Sequence, residues 1–153
     1  MTPYEQLLEE AMSYGIAVIE KNFVSNAKGL LKGNKAGIRK DMPTVEKRCT
    51  LAEEIIHYLI TVGNILDQSD ILNRKQELRA RHLTYEKLIP LSDIVQAYQA
   101  GVSGRFDLAD YLEVTEDFLQ KTINRYRDKY GISASIDNYI IFFDPLRVVE
   151  LAM

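Results

Sequence analysis

Thr50-Leu51-Ala52-Glu53-Glu54-Ile55-Ile56-His57-Tyr58-Leu59-Ile60 reads as a helix that is apolar around most of its circumference, which is the composition of a buried helix. It nevertheless carries two carboxylates and one of the chain's two histidines. Charged side chains are seldom buried unless they are paired or bind a metal. Glu53 and His57 stand at i and i+4, so they project from one helical face, with Glu54 beside them. That is the layout of a helical zinc site with an adjacent general base, one letter away from H-E-x-x-H. Such strings also arise on ordinary solvated faces. The flanking Leu51, Ile55, Ile56, Leu59 and Ile60 argue against that here.

A hydrolytic zinc needs three protein ligands and one open position for water. The metal brings the pKa of that water to about 7, and a nearby carboxylate takes its proton. Glu53 and His57 would supply one oxygen and one nitrogen ligand, and Glu54 the base. A third ligand must arrive from elsewhere. Glu77 is the best candidate, because the following helix can pack across the first, and Asp67 in the intervening loop is a weaker one.

The remaining composition narrows the classes of function. At 153 residues the chain fits one compact domain with a real core. Its net charge of −3 does not favour nucleic acid, whose phosphates need clustered positive charge. The single cysteine, Cys49, excludes an intrachain disulfide and suits a reducing compartment. Met1-Thr2-Pro3-Tyr4-Glu5 has neither the basic nor the apolar part of a signal peptide. No apolar run is long enough to span a bilayer. The expectation is a soluble cytoplasmic protein.

Outward from the opening stretch, Pro43 and Thr44 start its helix, with Thr44 as the expected cap, and Gly63 ends it. Upstream, Tyr4, Leu7, Leu8, Ala11 and Met12 recur at helical spacing before a stop at Gly15. Ile16–Ile19 reads as a strand. Two runs on either side of Gly33-Asn34 read as a hairpin, giving a small antiparallel sheet. Downstream, Asp67-Gln68-Ser69-Asp70 can cap a third helix, about Leu72 to Leu88, with Leu78, Tyr85 and Leu88 on its core face and Pro90 as its stop. A short helix through Leu91–Tyr98 ends at Gly101. Two more follow, the second capped by Thr115 and striped with Leu119, Ile123, Tyr126 and Tyr130. Tyr139–Phe143 is a strand closed by Asp144-Pro145.

The pattern extends beyond the short string. Arg48-Cys49-Thr50-Leu51-Ala52-Glu53-Glu54-Ile55-Ile56-His57 resembles the R-x-T-L-A-H-E-x-G-H helix of the ImmA/IrrE-type metallopeptidase family. Glu77-Leu78-Arg79-Ala80-Arg81-His82-Leu83-Thr84-Tyr85-Glu86-Lys87-Leu88-Ile89-Pro90 is similar to that family's E-x-x-A-x-x-F-A-x-x-L-[LM]-x-P helix, in the same order and at a matching separation. The likeness spans roughly Tyr4 to Gly131 and is closest to the short members encoded beside a repressor in phages and integrative elements. It implies a zinc-dependent endopeptidase that cleaves a helix-turn-helix repressor of a phage or mobile element. His57 matches the second histidine ligand, Glu54 the general base and Glu77 the downstream carboxylate ligand. Glu53 stands where the first histidine usually stands, and Ile56 replaces the usual glycine. Three carboxylates around one cation weaken zinc as a Lewis acid, so another divalent metal also enters consideration. A second reading is a metallopeptidase-like protein that binds the repressor without cutting it.

The resemblance implies an α+β fold: residues 1–100 as the metallopeptidase-like core, and 101–153 as a C-terminal helical extension with a terminal strand. Leu108–Leu119 has the rhythm of a helix-turn-helix. However, Glu116 and Asp117 open its second helix and would repel phosphate, so a structural helical pair is the better reading. His82 among basic neighbours reads as an ordinary helix residue and Cys49 as a small core residue. The basic cluster Arg74/Lys75/Arg79/Arg81 reads as a solvated face with Glu77–Arg81 as an i,i+4 pair.

Overall fold

The computed structural model describes the backbone of residues 1–63 and 70–152 and the side chains of 1–61 and 74–152. The fold is α+β, and the described residues divide into two compact units, Met1–Thr84 and Tyr85–Met153. The division falls inside a helix. Residues 64–69, and with them the weaker candidate ligand Asp67, lie outside the described residues.

The first unit opens with α1 (Pro3–Ser13). Thr2 Oγ1 accepts from the Glu5 amide and the Glu5 carboxylate accepts from the Thr2 amide, while Pro3 takes the first turn, where no amide donor is needed. Strands β1 (Ala17–Lys21), β2 (Gly29–Lys32) and β3 (Lys35–Arg39) form a sheet in the order β1-β3-β2. The β2–β3 hairpin is antiparallel about Gly33-Asn34, whereas β1 joins β3 in parallel, so the sheet is mixed. Residues 22–28 carry the chain past β3 to reach its far side. Phe23 settles there over Gly37, where a Cβ would come within 3.3 Å of the ring.

α2 (Thr44–Gly63) packs on α1, β2 and β3. Thr44 is its first residue rather than its cap. The first helical bond runs from the Lys47 amide to the Pro43 carbonyl. Leu51, Ala52 and Ile55 are fully buried with Ile38 and Ala36 of β3, whereas Leu59 is 38% exposed. The helix is therefore one-sided toward its C-terminal end, not buried all round. Burial of each large aliphatic side chain contributes about 1.5–3 kcal/mol. Glu20 of β1 ties this layer together, accepting from the Tyr4 hydroxyl at 3.0 Å and the Lys47 ammonium at 2.7 Å. α3 (Asp70–Leu88) follows. Among its described side chains the buried ones are Ala80, Thr84 and Leu88, while the expected core residue Leu78 is 53% exposed.

The second unit holds the end of α3, then α4 (Leu91–Gln99), α5 (Arg105–Leu112) and α6 (Glu116–Tyr130). Thr115 caps α6 by accepting from the Phe118 amide at 3.0 Å, and Gly131 ends it at φ +86°. β4 (Ser133–Ile136), β5 (Tyr139–Phe143) and β6 (Leu146–Glu150) form an antiparallel meander in place of the single expected strand. Leu119, Ile123 and Tyr126 of α6 are buried with Ile141 and Phe143 of β5, whereas Tyr130 is 45% exposed. The Tyr126 hydroxyl donates to the Ile89 carbonyl at 2.7 Å. No helix among the described residues is long and apolar enough to cross a membrane.

Candidate active site

A cleft of about 410 Å³ lies within the first unit. One wall is β2, through Gly29, Leu30 and Leu31; another is α2, through Glu54, His57, Ile60 and Thr61; Gln76 and Glu77 of α3 complete it. β2 is an edge strand of its sheet. Gly29 allows β2 to lie directly on α2: a Cβ there would fall 2.6 Å from Thr50 Cγ2 and 3.4 Å from Glu54 Cγ. The contact of strand and helix thus seats Glu54 beside β2, and it depends on a residue without a side chain.

Glu54 is 8% exposed, the only buried carboxylate among the described residues. Burial, reinforced by the neighbouring Glu53 charge, pushes its pKa up to about 7. A carboxyl with that property exchanges a proton readily at neutral pH. His57 lies one turn on, its Nδ1 3.9 Å from Glu54 Oε1, and is partly exposed to the cleft.

Of the four residues expected from the sequence, Glu54, His57 and Glu77 meet in this cleft, and Glu53 does not line it. Glu53 Oε1 lies 3.8 Å from Arg81 Nε on α3. Arg81 thus faces Glu53 rather than the expected Glu77. Among the described residues, no group of three or more His, Cys, Asp or Glu side chains is placed to hold a metal ion. The donors fit such an ion in part: His57 and Glu77 face the cleft, and Glu53 is engaged outside it. Cys49 and His82 do not line the cleft either.

Sequence reasoning missed the β2 wall and Gln76. The signal for the first was Gly29 at the start of a strand, where a missing side chain marks close approach of another element. No curated protein and no solved structure matched the chain. Residues 11–124 match a peptidase family described as the IrrE N-terminal-like domain. With that match covering most of its length, and with a buried glutamate and a histidine sharing a cleft, the chain belongs to this metallopeptidase-like family.

Proposed function

We propose that the chain is a metal-dependent endopeptidase that takes an extended segment of a DNA-binding repressor, encoded by a phage or mobile element, into the cleft between β2, α2 and α3. The observation that carries this reading is the buried Glu54, held beside His57 and facing the same cleft as Glu77. An edge strand along the cleft suits a polypeptide substrate, because its unpaired backbone groups can bond to an extended chain. His57 and Glu77 are the metal ligands in this reading, and Glu53, four residues before His57, is the third. The Glu53–Arg81 pair does not oppose that role strongly. Its side chains are 37% and 58% exposed, and such pairs are worth about 0–1 kcal/mol. Zinc, when bound, would polarise the scissile carbonyl and acidify water. Glu54 takes the proton of the attacking water and returns it to the departing amine.

The test is cleavage of the protein encoded by the neighbouring repressor gene, together with metal content. Stoichiometric metal lost in His57→Ala and in Glu77→Gln, and a cut abolished by Glu54→Gln, are expected. Absence of metal at micromolar zinc would overturn the reading. One observation favours a second reading, a partner that binds the repressor without cutting it: Glu53 is engaged by Arg81 instead of facing the cleft. That reading requires the repressor to be bound intact, with an affinity indifferent to chelators and to Glu54→Gln.

A further inference from the structure

Side chains alternate between the two faces of a strand, so the register of the first unit's sheet assigns each position to a face. Ala36 and Ile38 of β3 are buried on the face that packs against the helices, and Gly29 of β2 abuts Thr50 of α2 there. The opposite face therefore carries Ile19, Gly37 and Leu30 side by side, in one row across β1, β3 and β2. Phe23 lies over Gly37 and fills the place of its missing side chain. Ile19 is 49% exposed and Leu30, which also borders the cleft, 52%. Val24, next to Phe23, is fully exposed. Contiguous exposed apolar side chains of this kind mark interaction surfaces.

The rows on either side of it are cationic. Lys32 of β2 stands directly opposite Lys35 of β3, and Lys21 of β1 stands beside Arg39 of β3. Like charges directly opposite one another destabilise a sheet, and the fold keeps such a pair in each row. No carboxylate occupies a register position on this face. Lys21, Lys32 and Lys35 are exposed, and none of them forms an ion pair among the described residues. Arg39 is anchored: it donates to the carbonyls of Ser25 and Ala27 and lies 5.5 Å over the Phe23 ring, with Asp41 3.9 Å away. Lys28, just before β2, is paired with Glu46 of α2. An anionic partner touching both rows would relieve a repulsion that the chain itself leaves standing between Lys32 and Lys35.

We infer that this face docks an acidic amphipathic helix of a partner protein. Positions two residues apart along a strand are separated by about 7 Å, so the cationic rows stand about 13 Å apart with the apolar row midway. A helix is about 10–12 Å wide. Lying along the apolar row, it sets an aliphatic stripe on Ile19 and Leu30. Glutamates on the two borders of that stripe reach Lys32 and Lys35 on one side and Lys21 on the other. The three strands measure about 10 Å across, which is two turns of such a helix. Nucleic acid fits less well, because a base needs a bare ring to stack on and Arg39 occupies the Phe23 ring. The net charge of −3 also opposes a long polyanion or an anionic bilayer, whose fields reach beyond this one face.

The experiment is an anisotropy titration of the full chain into a fluorescein-labelled helical peptide whose leucine stripe is bordered on both sides by glutamates. Saturable, salt-sensitive binding below about 1 mM is expected. Peptides with glutamine in place of the glutamates, or serine in place of the leucines, should each bind about tenfold more weakly or worse. Lys35→Glu should weaken the original peptide by a similar factor while raising the urea midpoint of the free protein, because Lys32 then faces an opposite charge. That rise keeps the test clear of misfolding. Ile19→Thr, which preserves strand propensity, should weaken binding about fivefold. No saturation at millimolar peptide, or binding indifferent to Lys35→Glu, would overturn the inference. Tighter binding of duplex DNA or of phosphatidylserine vesicles than of the peptide would overturn it too, as would sedimentation showing self-assembly that Lys35→Glu abolishes.

Discussion

Glu54 is where burial and charge conflict most directly. Its pKa rises from 4.5 to about 7, chiefly through desolvation and then through Glu53. The folded chain therefore holds this proton more tightly than the unfolded chain does. Below pH 4.5 both states are protonated and the residue adds no penalty. Between pH 4.5 and 7 the unfolded state binds fewer protons, so stability falls as pH rises, and above pH 7 the loss is complete. A shift of that size corresponds to about 3 kcal/mol. Metal-free wild-type protein should accordingly lose stability to denaturant across this window by more than Glu54→Gln does. Equal slopes in urea titrations from pH 4.5 to 8 would contradict it. Gly29 makes the complementary prediction. Gly29→Ala places a methyl 2.6 Å from Thr50 Cγ2, on a helical β-branched side chain with little freedom to move. Overpacking of that kind costs about 1–3 kcal/mol. Adding Thr50→Ser removes the opposing methyl, so the double variant should recover most of the loss in a denaturation cycle.

At the scale of elements, Tyr126 joins α6 to the segment after α3 through a buried hydrogen bond to the Ile89 carbonyl. Tyr126→Phe keeps the ring packing on Phe143 but strands that carbonyl, so it should cost about 1–3 kcal/mol, read as a lower urea midpoint with an unchanged slope. Which elements were legible follows from how much local signal each carries. α1, the β2–β3 hairpin and α6 were readable because their stripes, glycines and caps lie within the element itself. β4 and β6 were not. Ser133-Ala134-Ser135-Ile136 carries little hydrophobic signal and exists because β5 offers a partner. The parallel pairing of β1 with β3 is invisible locally for the same reason, since nothing in Ala17–Lys21 encodes which strand will be its neighbour. Leu78 was misplaced because an apolar residue at helical spacing need not face the core when Ala80 and Thr84 fill that face instead. For the site, residue type and helical spacing drew attention to Glu54 and His57, which stand one turn apart on α2 and both line the cleft, whereas Glu53, the i,i+4 partner of His57, does not. They did not foresee that Arg81, reaching from α3, would face Glu53. Tertiary ion pairs of that sort are set by helix packing rather than by spacing within a helix.

Across the whole molecule, charge bears on which partners the chain can meet directly. The net charge is −3, and the helix that stands where a recognition helix would begin opens with Glu116 and Asp117. Those carboxylates suit the positive end of the α6 dipole and so stabilise the helix. By the same placement they repel a phosphate backbone. Non-specific DNA binders reach dissociation constants of about 10⁻⁴–10⁻⁶ M at physiological salt by releasing counterions from several phosphates at once. This chain has no comparable run of cations at the start of α6, so its affinity for duplex DNA at that salt should be weaker than this range. Recognition of a repressor would then have to come from protein contacts alone. Gel-shift titration with repressor-site DNA checks this directly: no shift by the chain itself is expected, and any complex should need the repressor. A shift by the chain alone, weakening steeply with added salt, would return α5 and α6 to a DNA-reading role.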